Sequence, residues 1–210
     1  MKLVFVHGWG FGADFWDRLR ARLPRRDHAV EDRGYFGDPR PVEWEGPCVA
    51  VVHSFGAMRL LSEPPASLHA LIAINGFDRF VAGEGFPGVD PRTLDAMMVR
   101  FGRAPEKTLR DFRSRCGTCQ PFGPIRAEIL GADLARMRSS DLRYVIAGLD
   151  IPMLSLQAAD DQIVPAAMRA EAFAGSEQLE RRVHPSAGHL LPLDDPAWCA
   201  AAISEFLENT

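Results

Sequence analysis

The sequence predicts an α/β protein: an open, mostly parallel sheet with helices on both faces, interrupted by an inserted helical segment. Three observations lead there. Short apolar runs of strand length alternate with stretches of helical spacing. Polar residues of catalytic type stand at the ends of several runs. Residues 79–147 change character and become arginine-rich, with helical patterns and turn clusters at 83–91 and 117–124. The expected division is a core of residues 1–78 and 148–210 with a helical lid over 79–147.

The elements follow in order. KLVFVHG (2–8) is a short buried strand running into a loop. FWDRLRARL (15–23) has helical spacing, with Phe15, Leu19 and Leu23 on one side. HAVED (28–32) is a short strand, and the Gly- and Pro-rich stretch after it is loop. CVAVVHS (48–54) is a continuous apolar run, as in a central parallel strand. GAMRLLS (56–62) starts a helix that stops before Pro64 and Pro65, and LHALIAING (68–76) is another buried strand. After the insert, IPMLSLQAADD (151–161) is a strand with a polar end. LERRVHPSAGH (179–189) is a strand plus loop, and PAWCAAAISEFL (196–207) is an amphipathic helix.

At 210 residues the chain fits one domain with ample core. Its 47% hydrophobic and 25% charged residues are those of a globular protein, and a net charge of -4 speaks against nucleic-acid binding. MKLVFV is too short for a signal peptide or membrane span, and no later run reaches that length. A cytoplasmic protein with no membrane contact is expected. Cys48 and Cys199 read as small core residues. Cys116 and Cys119 form a C-x-x-C without a second ligand pair or a thioredoxin-like setting, so reduced thiols are expected. The histidines lack ligand spacing, and neither metal nor cofactor is implied.

Chemistry in such sheets sits at the carboxyl ends of the strands. Ser54 ends one apolar run, Asp160 and Asp161 end another, and His189 follows a third. A serine hydroxyl needs an imidazole to take its proton, and the imidazole needs a carboxylate to fix its tautomer. The order Ser, Asp, His is that of α/β-hydrolases. VVHSFGAM (51–58) approximates their G-x-S-x-G turn, with Val52 in place of the first glycine. That valine is expected to displace the helix slightly or to require a small residue opposite. An oxyanion needs two preorganised N–H groups. The candidates are Phe55, after the serine, and Trp9, within HGWG (7–10). Singly, each feature has a plain reading as a turn or helix cap; their joint order favours catalysis.

HGWGFGADFW (7–16) narrows the resemblance, which continues in FPGVDPRTLDAM (86–97), TLRDF (108–112), SSDLR (139–143), DQIVP (161–165) and AGHLLPLDDPAWC (187–199). The chain resembles the pimeloyl-[acyl-carrier protein] methyl ester esterases of biotin synthesis. In that family the triad aspartate stands four residues before a V-P proline, so Pro165 implies Asp161 rather than Asp160. The resemblance implies substrate contacts from Trp9, Ser54, Phe55 and His189, and from the lid segment Phe112, Arg113, Ser114, Arg115 and Cys116. It also implies an acyl carrier protein as partner. Residues 79–143 carry twelve basic against eight acidic side chains, a net +4 inside a chain of -4. Lys107, Arg110 and Arg113 are the expected docking residues for such an acidic carrier. The family usually has two strands before HGWG, whereas this chain begins almost at that motif and reads as truncated at its amino end. It also departs in the missing helix before residue 48, at Val52, and in a lid shortened after residue 116. A general short-chain carboxylesterase, another hydrolase of the same fold and a non-catalytic binding protein are the alternatives.

Overall fold

The computed structural model describes residues 1–210. Six strands form one sheet: β1 (Lys2–Val6), β2 (His28–Glu31), β3 (Cys48–His53), β4 (Leu68–Ile74), β5 (Met153–Ala158) and β6 (Leu179–His184). Their order is β2-β1-β3-β4-β5-β6, and every pairing is parallel. The chain runs outward from β1 to β2, then returns to β3 and advances toward β6. The order therefore reverses between β1 and β3, where the carboxyl ends of the strands open a crevice for ligands. HGWG follows β1 and Ser54 follows β3, so both lie at that point.

Central strands are apolar on both faces because helices cover both. All six residues of β3 are buried, whereas β6, at the edge, has no fully buried residue and leaves Val183 exposed. The covering helices are short: α1 (Asp17–Arg20), α2 (Gly56–Ser62), α7 (Ala166–Glu171) and α8 (Leu191–Asp194), then the longer α9 (Pro196–Glu208). α9 buries Cys199, Ile203, Phe206 and Leu207, and Asp195 caps it by accepting the Trp198 N–H at 2.9 Å.

The helix expected over 15–23 is shorter than its spacing suggests. Residues Ala13–Trp16 form a 3-10 turn and α1 adds only one turn. Phe15 and Trp16 are drawn into an aromatic cluster with Phe5 and His53, and Pro24 ends the segment. Side-chain burial thus fixes the backbone against helical propensity.

Between β4 and β5 the chain adds no strand to the sheet. It forms α3 (Pro91–Arg103), α4 (Pro105–Cys116), α5 (Ala127–Ser139) and α6 (Arg143–Ala147). α3 starts on Asp90, which accepts the Arg92 N–H at 2.8 Å, with Pro91 in the first turn. These helices carry their own apolar stripe, including Leu94, Phe101, Leu109, Leu130 and Leu134. Asp133, fully buried on α5, fastens them to the core: it accepts two bonds from Arg33, at 2.8 and 3.1 Å, and one from the Tyr35 hydroxyl at 2.8 Å. The Trp9 indole adds a bond to the Leu130 carbonyl at 2.9 Å.

Candidate active site

The turn after β3 is sharp. Ser54 adopts φ +52°, a conformation uncommon outside glycine, and its N–H bonds to the Ile74 carbonyl at 3.1 Å. α2 then begins almost in contact with the end of β1. A Cβ added at Gly56 would lie 2.5 Å from the Val6 carbonyl oxygen and 2.8 Å from that of His7. Gly56 is therefore demanded by close backbone approach. On the strand side Val52 is fully buried and pairs in register with Ala73. Ala73 and Ala57 both crowd Gly76, whose added Cβ would meet theirs at 3.1 and 3.2 Å. Val52 thus faces a small residue on the β4 side, while its partner on the β1 side is Val6.

The three polar residues from separate strand ends meet. His189 Nε2 is 3.0 Å from Ser54 Oγ, and His189 Nδ1 is 2.8 Å from Asp161 Oδ2. All three are buried. The other oxygen of Asp161 accepts the N–H groups of Ile163 (2.7 Å) and Val164 (2.9 Å). Burial alone would raise the pKa of Asp161. The adjacent imidazole and these N–H donors outweigh it and hold the carboxyl below its ordinary value. A carboxylate on Nδ1 leaves Nε2 facing the serine as acceptor, the tautomer that proton abstraction requires. Asp160 is exposed and makes no contact with the histidine.

Trp9 and Phe55 bracket the serine along the chain, in the HGWG loop and in the next residue. Neither backbone N–H donates to a protein acceptor. The HGWG loop lies against the turn itself. A Cβ on Gly8 would meet the His53 ring at 2.9 Å and Ser54 Cβ at 3.0 Å. Gly10, at φ +76°, has its carbonyl held by Arg113 Nη1 at 2.8 Å.

Two residues outside the expected set hold the histidine loop. Asn75 Nδ2 donates to the carbonyls of Gly188 (3.1 Å) and His189 (2.9 Å). His53 Nε2 donates to that same His189 carbonyl at 2.9 Å. His53 stacks on Phe15, and burial pushes its imidazole down to about 3, so it stays neutral. An asparagine at a strand end looks like a turn residue in sequence, and only strand order reveals its partners.

The α4 residues separate by face. Phe112 stacks edge-on against Trp9, with ring centroids 4.9 Å apart. It lines a cavity of about 240 Å³ with Phe80, Leu94, Met97, Ile163 and Arg115. Ile163 belongs to the turn that follows Asp161, so that turn forms one wall of the cavity, and no triad residue lines it. Arg113 points the opposite way, into a groove of about 660 Å³. There its guanidinium lies over Phe11 (4.9 Å) and Phe122 (5.5 Å). It is half-buried whereas Lys107 and Arg110 are exposed, and Arg110 lies over the same Phe122 ring at 5.9 Å. Ser114 is exposed and lines neither space. Cys116 is buried, its thiol pushed well above the ordinary value by burial, and all four cysteines are unlinked. No helix is long and apolar enough to cross a membrane.

No family model matches the chain. It is 27% identical over 201 residues to the pimeloyl-[acyl-carrier protein] methyl ester esterase of Pectobacterium carotovorum, covering 78% of this chain and 77% of that one. The enzyme of the same name from Methylococcus capsulatus is 28% identical over 203 residues, covering 78% of each. That from Yersinia pseudotuberculosis is 23% identical over 243 residues, covering 99% and 93%. Among solved structures, an esterase from Exiguobacterium antarcticum superposes with a TM-score of 0.83 at 16% identity, covering 99% of this chain and 92% of that one. A bromoperoxidase from Bacillus anthracis gives 0.84 at 14%, covering 99% and 91%. The parallel sheet, its order and these neighbours make the fold that of an α/β-hydrolase. With Ser54, His189 and Asp161 joined in one hydrogen-bonded chain, the protein is an α/β-hydrolase of the carboxylic ester hydrolase kind, resembling the pimeloyl-[acyl-carrier protein] methyl ester esterases.

Proposed function

We propose that this chain is a cytoplasmic serine carboxylesterase that hydrolyses the methyl ester of pimeloyl-acyl carrier protein, a step of biotin biosynthesis. The observation that carries the catalytic part is the Ser54–His189–Asp161 hydrogen-bond chain beside two N–H groups without protein acceptors. The substrate comes from the names of the relatives.

In this reading His189 Nε2 takes the Ser54 proton while Oγ adds to the ester carbonyl. The N–H groups of Trp9 and Phe55 receive the oxyanion, each contributing roughly 3 to 4 kcal/mol of barrier lowering. The tetrahedral carbon expels the alkoxide, which takes the proton from the imidazolium and leaves as methanol. Water then gives a proton to His189 and adds to the acyl-enzyme. Collapse returns the proton to Ser54 Oγ and releases the carboxylic acid. Asp161 stays ionised and keeps the imidazole in one orientation.

Residues 79–147 act as the lid. The apolar cavity against Phe112 receives the acyl chain, with Arg100 and Arg115 at its wall. Phe112 to Cys116 form the segment nearest that chain, with Arg113 on its far side. Lys107 and Arg110 offer the carrier a charged face, although Lys107 already pairs with Asp111 at 2.7 Å. Such rim charges act mainly on association rate and are screened by salt.

The test compares a carrier-bound acyl methyl ester with a small free ester such as p-nitrophenyl acetate. The proposal predicts higher kcat/KM for the carrier-bound ester, falling as salt rises, and little salt effect on the free ester. Lys107→Gln with Arg110→Gln should weaken only the first reaction. Equal salt response for both esters, with no preference for the carrier, would replace this reading by a general short-chain carboxylesterase.

A further inference from the structure

We infer that Asn75 is a positioning residue of this site, one side chain that sets the acid turn and the histidine loop in register. The inference rests on the Ser54–His189–Asp161 assignment and adds to it a residue that touches none of the reacting atoms. Asn75 follows β4, the strand between the nucleophile strand β3 and the acid strand β5. It is fully buried and adopts φ +46°. Asparagine tolerates that left-handed conformation better than most residues because its short side chain bonds locally.

Every polar group of the side chain and the N–H is committed. The N–H donates to the Leu156 carbonyl of β5 at 2.8 Å. Oδ1 accepts the Ala158 N–H at 2.9 Å, where β5 leads into the turn that carries Asp161. Nδ2 spans the carbonyls of Gly188 and His189 at 3.1 and 2.9 Å. The preceding residue, Ile74, gives its carbonyl to the Ser54 N–H at 3.1 Å. The nucleophile turn, the acid turn and the histidine loop therefore converge within two residues of β4. His53 Nε2 is the only other side-chain donor on the His189 carbonyl, and it belongs to the nucleophile strand.

The need is physical. The histidine loop, SAGHLL, begins in coil, and the Asn75 amide holds the two carbonyls nearest the catalytic imidazole. A displacement of about 1 Å in a catalytic group lowers turnover about a hundredfold. An amide is suited to the task because it offers an acceptor to one loop and a donor to the other. A carboxylate at this point would face two carbonyl oxygens and repel them; protonated, it would regain one donor.

The test uses Asn75→Ala, Asn75→Asp and wild type, with p-nitrophenyl acetate turnover and the proton NMR resonance of the His189 Nδ1–H shared with Asp161. Asn75→Ala should lower kcat roughly 10- to 100-fold with KM nearly unchanged, and should broaden or shift that resonance while circular dichroism stays native. Asn75→Asp should regain activity as pH falls toward that of a protonated carboxyl, a profile opposite to wild type. Unaltered kcat and an unaltered resonance in a folded Asn75→Ala would overturn the inference. So would an Asn75→Asp profile that parallels wild type. Ser54→Ala serves as a separate control. If it hydrolyses the ester as wild type does, the triad assignment fails, and the resonance still reports whether Asn75 orders the histidine. If Asn75→Ala does not fold, the folded Asn75→Asp decides the matter by its pH profile.

Discussion

The triad loops and the inserted helices are held in place by different forces. Around Ser54, Asp161 and His189, nearly every bond is short, buried and made to backbone groups. Over residues 79–147, many of the polar contacts are exposed ion pairs: Lys107–Asp111, Arg126–Glu128, Arg138–Asp95. Exposed pairs contribute about 0 to 1 kcal/mol each. Buried groups that lose a partner cost several times more. The molecule thus puts geometric precision where atoms react. It leaves the inserted helices attached mainly by their apolar stripe and two buried anchors, the Asp133 cluster and the bond from Trp9 to the Leu130 carbonyl.

The largest expected effect breaks the first region. Asp161→Asn should lower kcat on a small ester by about ten-thousandfold, because the imidazole then adopts the wrong tautomer. Asp160→Asn, one residue away but exposed, should stay within a few-fold of wild type in the same assay. The reverse pattern would assign the acid to Asp160.

Next comes an anchor of the second region. Asp133→Ala leaves the buried Tyr35 hydroxyl and the part-exposed Arg33 guanidinium without their acceptor, and should cost about 2 to 3 kcal/mol in denaturant unfolding. Asp95→Ala removes an exposed partner of Arg138 and should leave the unfolding midpoint close to that of wild type. Similar losses in both variants would erase the contrast between buried and exposed fastening.

Val52 tests how closely the nucleophile turn has adapted. Val52→Gly removes a buried side chain beside Ala73 and adds backbone freedom, at a cost of about 2 to 3 kcal/mol of stability. Ester hydrolysis should survive. A rise in melting temperature would mean that the valine is strained.

A smaller effect lies where the insert leaves the core. Asp78 is buried just after β4; one oxygen accepts the Phe173 N–H at 3.2 Å and the other has no partner. Burial raises its carboxyl from 3.8 to about 6. Between those values the folded chain holds a proton that the unfolded chain has lost. The stability this proton confers is full below about pH 4 and is lost as pH rises through 6. Asp78→Asn cannot ionise and keeps the acceptor for Phe173. It should unfold at a higher temperature than wild type at pH 7.5, by on the order of 2 kcal/mol, and match it near pH 4. Parallel stability curves across this range would contradict the account.

Much of the site was legible because its signals are local. The apolar runs 48–54 and 68–76, the Ser-x-Gly turn and the polar ends of the runs each lie within a few residues. The rest depends on which strands are neighbours. Asn75 acquires partners only once β4 is placed between β3 and β5. Asp133 lies about a hundred residues from Arg33 and Tyr35 in sequence, and the three meet around its buried carboxylate. Arg113 looked like one charge among twelve, yet its stem turns inward to hold Gly10 and lie on Phe11. Composition registers a charge but not its direction.

The central claim is that Ser54 is a nucleophile activated by His189. Treatment with a fluorophosphonate, followed by intact-mass measurement and peptide mapping, tests it most directly. One stoichiometric adduct is expected on Ser54, formed rapidly in wild type and at least a hundredfold more slowly in His189→Ala, with none in Ser54→Ala. An adduct on another residue, or labelling of Ser54 that is indifferent to loss of His189, would contradict it.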